Sequence, residues 1–165
     1  MPMNVTGLGY DIHSFAPEGS GRKLILGGVE IPGATGLDGH SDADVLSHAI
    51  ADAILGAIGE KDIGHHFPNT DESIRGISSL EIIRRSVELV KAEGGRIINI
   101  DSSLIAERPK IGPHLDAMRE ALAAVIGIPV RRIGIKATTN ERLGALGRAE
   151  GIAAFAVASV ELPEG

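Results

Sequence analysis

Two residues near the start of the sequence have the types and the spacing of metal ligands. Asp11 and His13 stand two positions apart in a segment that predicts a β-strand, so their side chains point to the same face. A second histidine, His48, lies in a later segment that predicts a helix. Two imidazoles and one carboxylate suit catalytic zinc, which typically has three protein ligands and an open fourth position. The pattern therefore indicates a divalent-metal site.

Along the predicted helix, His48 stands between two carboxylates. Asp44, His48 and Asp52 are spaced four residues apart, which places them on one helix face. Such a polar stripe is typical of a solvent-exposed face. It also fits a metal-ligating histidine whose second ring N–H donates to a carboxylate. The spacing alone leaves both interpretations open.

The composition argues against several classes of protein, among them nucleic-acid-binding, disulfide-bonded and membrane proteins. The net charge of −6 argues against a nucleic-acid partner, because nucleic-acid-binding surfaces are normally basic. The chain has no cysteine, so disulfides are excluded and any metal must be held by His, Asp or Glu. No apolar run approaches the roughly 20 residues of a membrane span, and the N-terminus does not resemble a signal peptide. We therefore expect a soluble cytoplasmic protein with one domain, residues 1–165, and no membrane partner.

The apolar periodicity and the turn residues predict an alternation of strands and helices. Ser41 and Ser78 are expected to cap the first two helices, with Glu81 completing a capping box at the second. Residues 60–77 are expected to form a long loop. The order predicts an α+β fold, in which a mixed sheet of four to five strands carries helices packed on one face. The predicted strands are 3–13, 23–31, 96–106, 130–138 and 151–162, and the predicted helices are 41–58, 78–94 and 113–126.

Two further patterns bear on packing. Residues 152–158 are apolar on both faces of the last predicted strand, so this strand is expected at the centre of the sheet or against another subunit. Gly7 and Gly9 precede Asp11 but lack the third glycine of a dinucleotide-binding fingerprint. These glycines are expected to let another backbone segment approach closely.

Two more residues are candidates for handling phosphate. His40 stands just before the first predicted helix, whose free N–H groups favour a phosphate group. Glu141 follows two threonines and an asparagine, and oxygen ligands of this kind suit magnesium or manganese better than zinc.

Seven short segments together carry a family resemblance. With them, nearly the whole chain resembles the 2-C-methyl-D-erythritol 2,4-cyclodiphosphate synthases, which belong to the non-mevalonate pathway of isoprene biosynthesis. Each segment alone is weak, but their common order and spacing are highly specific. The segments are residues 9–13, 40–45, 62–64, 67–71, 108–110, 136–141 and 147–151.

The resemblance implies a reaction and an assembly. The implied substrate is a cytidine nucleotide, 4-diphosphocytidyl-2-C-methyl-D-erythritol 2-phosphate. Its own 2-phosphate attacks its β-phosphorus, CMP leaves, and 2-C-methyl-D-erythritol 2,4-cyclodiphosphate forms. This makes the chain a metal-dependent phosphorus–oxygen lyase. The resemblance also implies a homotrimer around a central β-lined core, with active sites at the subunit interfaces.

The same resemblance implies roles for individual residues. Asp11, His13 and His48 are implied to hold zinc, and Glu141 is implied to hold magnesium or manganese together with the substrate phosphates. His40 and Thr139 are the implied catalytic residues, which stabilise the transition state. The implied substrate-binding residues are Asp11, His13, His40, Ser41, Asp62, Gly64, Phe67, Pro68, Asn69, Thr70, Asp71, Ala106, Glu107, Arg108, Pro109, Lys110, Ile111, Gly112, Thr138, Thr139, Asn140, Glu141, Ala145 and Arg148.

Three positions depart from the family pattern. Asn69 replaces the usual aspartate, so it can still hydrogen-bond a substrate hydroxyl but carries no charge. Asn140 stands where a threonine is common, and Ala145 stands where an aromatic residue is common. Ala145 bears on the lining of the central trimer cavity, near which Arg148 and Glu150 are also implied to lie. None of the three is an implied metal ligand.

Two other functions fit parts of the pattern. A zinc phosphohydrolase would use a metal-bound hydroxide on a nucleotide diphosphate, with His65 or His66 as an additional base. A non-catalytic trimeric protein would bind a metal or an isoprenoid through the apolar last strand and Arg148. The product separates these readings, because only the synthase releases CMP and a cyclic diphosphate.

Overall fold

A four-stranded mixed sheet lies at the centre of the structure, a computed structural model that describes residues 1–164. Its strands are β1 (Met3–Ser14), β4 (Arg96–Ile105), β5 (Lys136–Thr138) and β6 (Gly151–Leu162), arranged in the order β1–β6–β4–β5. β6 pairs antiparallel with both β1 and β4, and β5 pairs parallel with β4. The mixed sheet and the central place of the last strand are confirmed.

A two-stranded ribbon lies outside this sheet. It consists of β2 (Lys23–Leu26) and β3 (Val29–Thr35), which are separated by Gly27 and Gly28 with positive φ angles. The predicted strand 23–31 stopped before Pro32, but β3 continues through Pro32 and Gly33 to Thr35. Proline is tolerated there because β3 has a pairing partner on only one side within the ribbon.

The helices pack in a layer on one face of the sheet, as predicted. α1 (Val45–Ala57) lies across β1 and β6, α3 (Ser79–Ala92) packs against α1, and α4 (Leu115–Ile126) packs against α3. Two short helices, α2 (Ile63–His66) and α5 (Gly144–Gly147), interrupt the connecting segments. Single 3₁₀ turns span Glu72–Ile74, Gly112–His114 and Val130–Arg132. No helix in residues 1–164 has both the length and the hydropathy needed to cross a bilayer.

The other face of β1 and β6 carries apolar side chains that no element of the described chain covers. Tyr10 and Phe155 are cross-strand partners with ring centroids 4.9 Å apart. The sheet therefore has one face packed against the helices and one apolar face open in the single chain. The exposed residues are Leu8, Tyr10, Ile12, Phe155 and Val157.

Several predicted boundaries were wrong. The first helix begins at Val45 with Asp44 as its N-cap, not at Ser41, because Ala43 has a φ of 55° that no helix accommodates. The loop over 60–77 contains α2 and a 3₁₀ turn. The third helix begins after Gly112–His114, which form a 3₁₀ turn.

The predicted helix 78–94 and the predicted strand 130–138 also differ from the observed elements α3 and β5. Ser78 caps α3 as predicted, but Glu81 pairs with Arg84 and Arg85 instead of completing a capping box. Only Lys136–Thr138 of the predicted strand 130–138 is a strand. The Arg119 guanidinium binds the carbonyl oxygens of Val130 and Ile133, which removes these acceptors from a strand ladder.

Gly7 and Gly9 allow the close approach that was predicted for them. A Cβ atom on Gly7 would lie 1.9 Å from the Ala53 carbonyl oxygen, and one on Gly9 would lie 1.9 Å from the Ala49 carbonyl oxygen. Both oxygens belong to α1. Only glycine lets the α1 backbone lie this close to β1.

We expect Gly9→Ala to force α1 away from β1. Overpacking of this kind typically lowers the free energy of unfolding by about 1–3 kcal/mol. The same displacement separates His48 on α1 from Asp11 and His13 on β1, so metal binding should weaken as well. Urea unfolding and metal titration measure the two effects.

Gly56→Ala is the matched control on the same contact. Its Cβ would lie 3.7 Å from the Leu8 carbonyl oxygen, which is an ordinary van der Waals distance. Alanine is favoured over glycine in a helix by up to about 1 kcal/mol, so this variant should be as stable as the wild type or more so. Equal stability of Gly9→Ala and the wild type would contradict the packing argument.

Candidate metal centre

Asp11, His13 and His48 bring three ligand atoms to one point between β1 and α1. The Asp11 Oδ2 atom lies 2.8 Å from His13 Nε2 and 3.1 Å from His48 Nδ1. The two ring nitrogens are 3.4 Å apart. Within residues 1–164, these residues form the one cluster of three or more His, Asp or Glu side chains able to hold a metal ion. The convergence predicted from the spacing is confirmed.

The triangle of ligand atoms has the dimensions of a tetrahedral metal site. Nitrogen and oxygen ligands about 2.0–2.1 Å from a tetrahedral zinc ion lie roughly 3.3 Å from one another. The three observed separations, 2.8, 3.1 and 3.4 Å, are close to this value. The donor set of two imidazoles and a carboxylate therefore fits a divalent cation in both chemistry and spacing.

The two imidazoles neutralise a carboxylate that burial alone would destabilise. Burial raises the pKa of Asp11, but hydrogen bonds and charge from His13 and His48 outweigh it and lower that pKa to about 2. Burial lowers the pKa of His13, but the hydrogen bond and the charge of Asp11 outweigh it and raise that pKa above 6.5. Asp11 is thus ionised at neutral pH, as a metal ligand must be.

Contacts behind the triad orient both imidazoles. His13 Nδ1 lies 2.8 Å from the Asp38 carbonyl oxygen, which can only accept, so Nδ1 donates and Nε2 faces the metal position. His48 Nδ1 faces the metal position, and its Nε2 lies against the hydroxyls of Ser41 and Ser79. Asp38 and Ser79 were missed in the sequence, since neither has a local spacing that relates it to the ligands.

Neither open interpretation of the carboxylate stripe on α1 is correct. Asp44 and His48 are buried, so the stripe is not a solvent-exposed face. Neither carboxylate orients His48: Asp44 accepts hydrogen bonds from Ser47, Gly27 and Gly28, and Asp52 accepts one from the Ile63 N–H group. Asp44 thereby ties the β2–β3 turn to the start of the helix that carries His48.

The position of Asp44 also changes the interpretation of the helix end next to His40. The Asp44 side chain already occupies the N-terminus of α1, where a phosphate group was expected. His40 is held differently, because its Nε2 donates to the Asp71 carbonyl oxygen at 3.2 Å. His40 therefore lines the wall of the cavity over Asp11, His13 and His48. It does not share a phosphate site with the N-terminus of α1, because Asp44 occupies that helix end.

A cavity of about 370 Å³ opens over the Asp11, His13 and His48 side chains. It contains eight of the residues predicted from the sequence, including His40, Ser41 and Asn69. One wall consists of apolar residues, among them Ile74, Ile77 and Ile82, which the sequence did not single out because isoleucines elsewhere form the core. The predicted residues in the lining are Asp11, His13, His40, Ser41, His48, Gly64, Phe67 and Asn69.

Segment 62–71 supports this cavity. Asp62 caps α2 by accepting the His65 N–H group, which places Gly64 and Phe67 in the cavity lining. Asp71 caps the next 3₁₀ turn by accepting from Ser73. Pro68 and Thr70 belong to the same segment but do not line the cavity.

Eight further predicted residues line a second cavity, of about 320 Å³. Glu107 holds its two sides together, because its carboxylate accepts the N–H groups of Asn140 and Arg142. Among the described residues, none lines both this cavity and the one over the metal cluster. The predicted residues in its lining are Ala106, Glu107, Pro109, Lys110, Ile111, Gly112, Thr138 and Thr139.

Nine predicted residues lie outside both linings: Asp62, Pro68, Thr70, Asp71, Arg108, Asn140, Glu141, Ala145 and Arg148. Arg108 lines a third cavity, of about 490 Å³, together with Pro109. Glu141 has a φ of 52°, and its N–H group donates to the Thr139 hydroxyl. Ala145 lies in α5, and Arg148 pairs with Glu150 at 2.9 Å. One chain thus brings the metal ligands together with His40 but does not bring Thr139 or Glu141 into the lining of that cavity.

Comparison with known proteins places this architecture. The model of the YgbB family matches residues 4–161. The chain belongs to the YgbB family. It is 62% identical over 160 residues to the 2-C-methyl-D-erythritol 2,4-cyclodiphosphate synthase of Akkermansia muciniphila, covering 97% of this chain and 94% of that protein. The resemblance recognised in the sequence is confirmed.

Solved structures of related proteins share the fold. The bifunctional IspDF of Campylobacter jejuni matches with a TM-score of 0.92 and 38% identity over 99% of this chain, which spans 44% of that protein. An IspF of Plasmodium falciparum, solved as a CDP complex, matches with a TM-score of 0.83 and 33% identity over 98% of this chain and 97% of that one. These relatives support a cyclodiphosphate synthase role for the YgbB chain described here.

The raised pKa of His13 predicts a pH-dependent stability of the metal-free protein. A protonated His13 stabilises the folded state beside Asp11, and this contribution is fully present below pH 6.5 and lost as the pH rises through the raised value. The contribution of Asp11 is present above pH 3.8 and lost as the pH falls towards about 2. The stability difference between wild type and His13→Gln should therefore shrink as the pH rises from 6 to about 9.

Urea unfolding in the presence of a chelator measures this difference. Glutamine at position 13 keeps a polar side chain but does not titrate, so it removes the pH-dependent part of the interaction. A stability difference that stays constant between about pH 5 and 9 would show that Asp11 and His13 do not form the described pair.

Proposed function

We propose that this chain is a cyclodiphosphate synthase of the non-mevalonate isoprenoid pathway. The substrate is 4-diphosphocytidyl-2-C-methyl-D-erythritol 2-phosphate. An oxygen of its 2-phosphate bonds to its β-phosphorus, the bond from that phosphorus to the oxygen of the departing CMP breaks, and the cyclic diphosphate remains. The observation that carries the proposal is the Asp11, His13 and His48 cluster at the base of a cavity in a chain of the YgbB family.

The residues fit this reaction because the substrate supplies its own nucleophile. No activated serine or cysteine is needed, and catalysis consists of positioning and electrostatic stabilisation. Asp11, His13 and His48 would hold zinc, and Glu141 would hold magnesium or manganese, and these cations would supply positive charge that offsets the repulsion between phosphates. This explains how a chain with a net charge of −6 takes a strongly anionic substrate.

We assign the other side chains to positioning. His40 and Ser41, in the wall of the metal cavity, bind the phosphate groups near the ligands. Asp62, Gly64 and segment 67–71 surround the methylerythritol part, where Asn69 bonds through its amide. Lys110 and the backbone of residues 106–112 take the cytidine in the second cavity. Thr139 stabilises the transition state together with His40.

Two features support a homotrimer with active sites between subunits. The predicted metal-binding and cytidine-binding residues line separate cavities of one chain. A single substrate can contact both sets if one cavity comes from each of two neighbouring subunits. The apolar face of β1 and β6, with Tyr10 and Phe155, is exposed in the single chain and suits a shared core. In this assembly, each chain contributes one synthase domain, residues 1–165, and the protein is cytoplasmic. The structure describes residues 1–164 of this domain.

Phosphorus NMR of the product tests the proposed reaction. Purified protein with the cytidine substrate, magnesium and trace zinc should release CMP and a cyclic diphosphate. His48→Ala, which removes one metal ligand, should lose nearly all turnover and stoichiometric zinc. A linear phosphate product would instead identify a phosphohydrolase, and metal binding without turnover would identify a binding protein.

Glu141→Gln tests the second metal. The amide keeps the size of the side chain but removes the charge that attracts magnesium or manganese. The metal concentration for half-maximal activity should rise by at least about tenfold, as for loss of one charged ligand contact worth about 1.4 kcal/mol. Glu150→Gln is the control, because Glu150 is a nearby carboxylate in the sequence that pairs with Arg148. Its magnesium titration should match that of the wild type. An unchanged magnesium titration in Glu141→Gln would contradict the assignment.

A further inference from the structure

Ser79, the first residue of α3, is within hydrogen-bonding distance of the proposed metal ligand His48, although the two residues are far apart in sequence. Its Oγ is 2.8 Å from His48 Nε2, on the side of the imidazole that faces away from the metal position. The residue is fully buried. Nothing in its sequence context relates Ser79 to His48, 31 positions earlier.

The carboxylate of Asp42 determines the direction of this hydrogen bond. Ser79 Oγ–H donates to Asp42 Oδ1, and the Ser79 backbone N–H donates to Asp42 Oδ2 at 3.0 Å. An ionised carboxylate can only accept, so the hydroxyl proton of Ser79 is committed to Asp42. The lone pairs of Ser79 Oγ therefore face His48 and accept its Nε2–H.

This direction matters because only one nitrogen of a neutral imidazole carries a proton. If Nε2 carries it, Nδ1 presents its lone pair to the metal position beside Asp11 and His13. Ser41 lies farther from Nε2, at 3.1 Å, and its oxygen also accepts the Ala43 N–H group. Ser41 has no such contact with Asp42, so its hydroxyl proton is not committed in this way.

We propose that Ser79, oriented by Asp42, is a positioning residue that fixes His48 with Nε2 protonated and Nδ1 directed at the metal. The proposal rests on the metal site proposed above. It makes the start of α3 part of the metal centre, together with β1 and α1. The chain of contacts runs from the Asp42 carboxylate through the Ser79 hydroxyl to the His48 ring, whose Nδ1 faces the position that a cation would occupy.

Zinc affinity measured by competition with a chelating dye tests the proposal. Ser79→Ala should lower the affinity by about 10- to 100-fold, the usual effect of losing a partner behind a metal ligand. Ser86→Ala is the matched control, because Ser86 is a buried serine of the same helix whose hydroxyl donates to the Ile82 carbonyl oxygen. It should bind zinc as the wild type does.

Two further measurements separate positioning from a general loss of structure. Urea unfolding of the metal-free proteins should give similar stabilities for Ser79→Ala and Ser86→Ala. In zinc-loaded wild-type protein, the His48 ring N–H should give a slowly exchanging NMR resonance that is lost or broadened in Ser79→Ala. Asp42→Asn should reduce zinc affinity when Ser79 is present and have little further effect in Ser79→Ala.

The outcomes distinguish this proposal from the proposed function. Unchanged zinc affinity in Ser79→Ala would overturn the role of Ser79 and leave the cyclisation intact. Equal losses in Ser79→Ala and Ser86→Ala would overturn it as well. Loss of affinity in Ser79→Ala alone would support it, even if phosphorus NMR found a product other than the cyclic diphosphate. Absence of zinc binding by the wild type would overturn both the metal site and the role of Ser79.

Discussion

The close packing of α1 against β1 is the constraint on which the rest of the site depends. Asp11 and His13 are fixed by the strand, but His48 reaches them only because the helix backbone lies directly on the strand at Gly7 and Gly9. Asp44 then holds the start of the helix to the β2–β3 turn, so the helix cannot slide along the strand. The glycines bring the ligands close, and the buried cap fixes their register.

Electrostatics explains how Asp11, His13 and His48 share a largely buried position. Three polar groups are placed in a largely buried position, a cost that hydrogen bonds and opposite charges must offset. Asp11 is balanced by two imidazoles, which hold its pKa near 2. The far side of each ring has an acceptor, the Asp38 carbonyl oxygen for His13 and the Ser79 hydroxyl for His48. A cation bound at His13 Nε2 and His48 Nδ1 would leave these outer contacts, which use the other nitrogen of each ring, in place.

The sequence predicted the parts of this arrangement that depend on local spacing. Period two placed Asp11 with His13, the paired glycines indicated a close backbone contact, and the apolar last strand indicated a central position. The errors came from contacts between distant segments. Asp44 was interpreted by its place on a helix face, but the turn at Gly27 and Gly28 makes it a buried cap. Residues 130–135 have strand-like composition, but Arg119 binds the carbonyl oxygens of Val130 and Ile133. Ser79 has no local signal at all.

The central claim is that Asp11, His13 and His48 together bind one divalent cation. The most direct test is an anomalous difference map at the zinc absorption edge, from crystals of protein purified without a chelator. We predict one peak per chain, about 2 Å from Asp11 Oδ2, His13 Nε2 and His48 Nδ1. A map with no peak there after zinc is supplied in excess, or with the peak at other residues, would contradict the account.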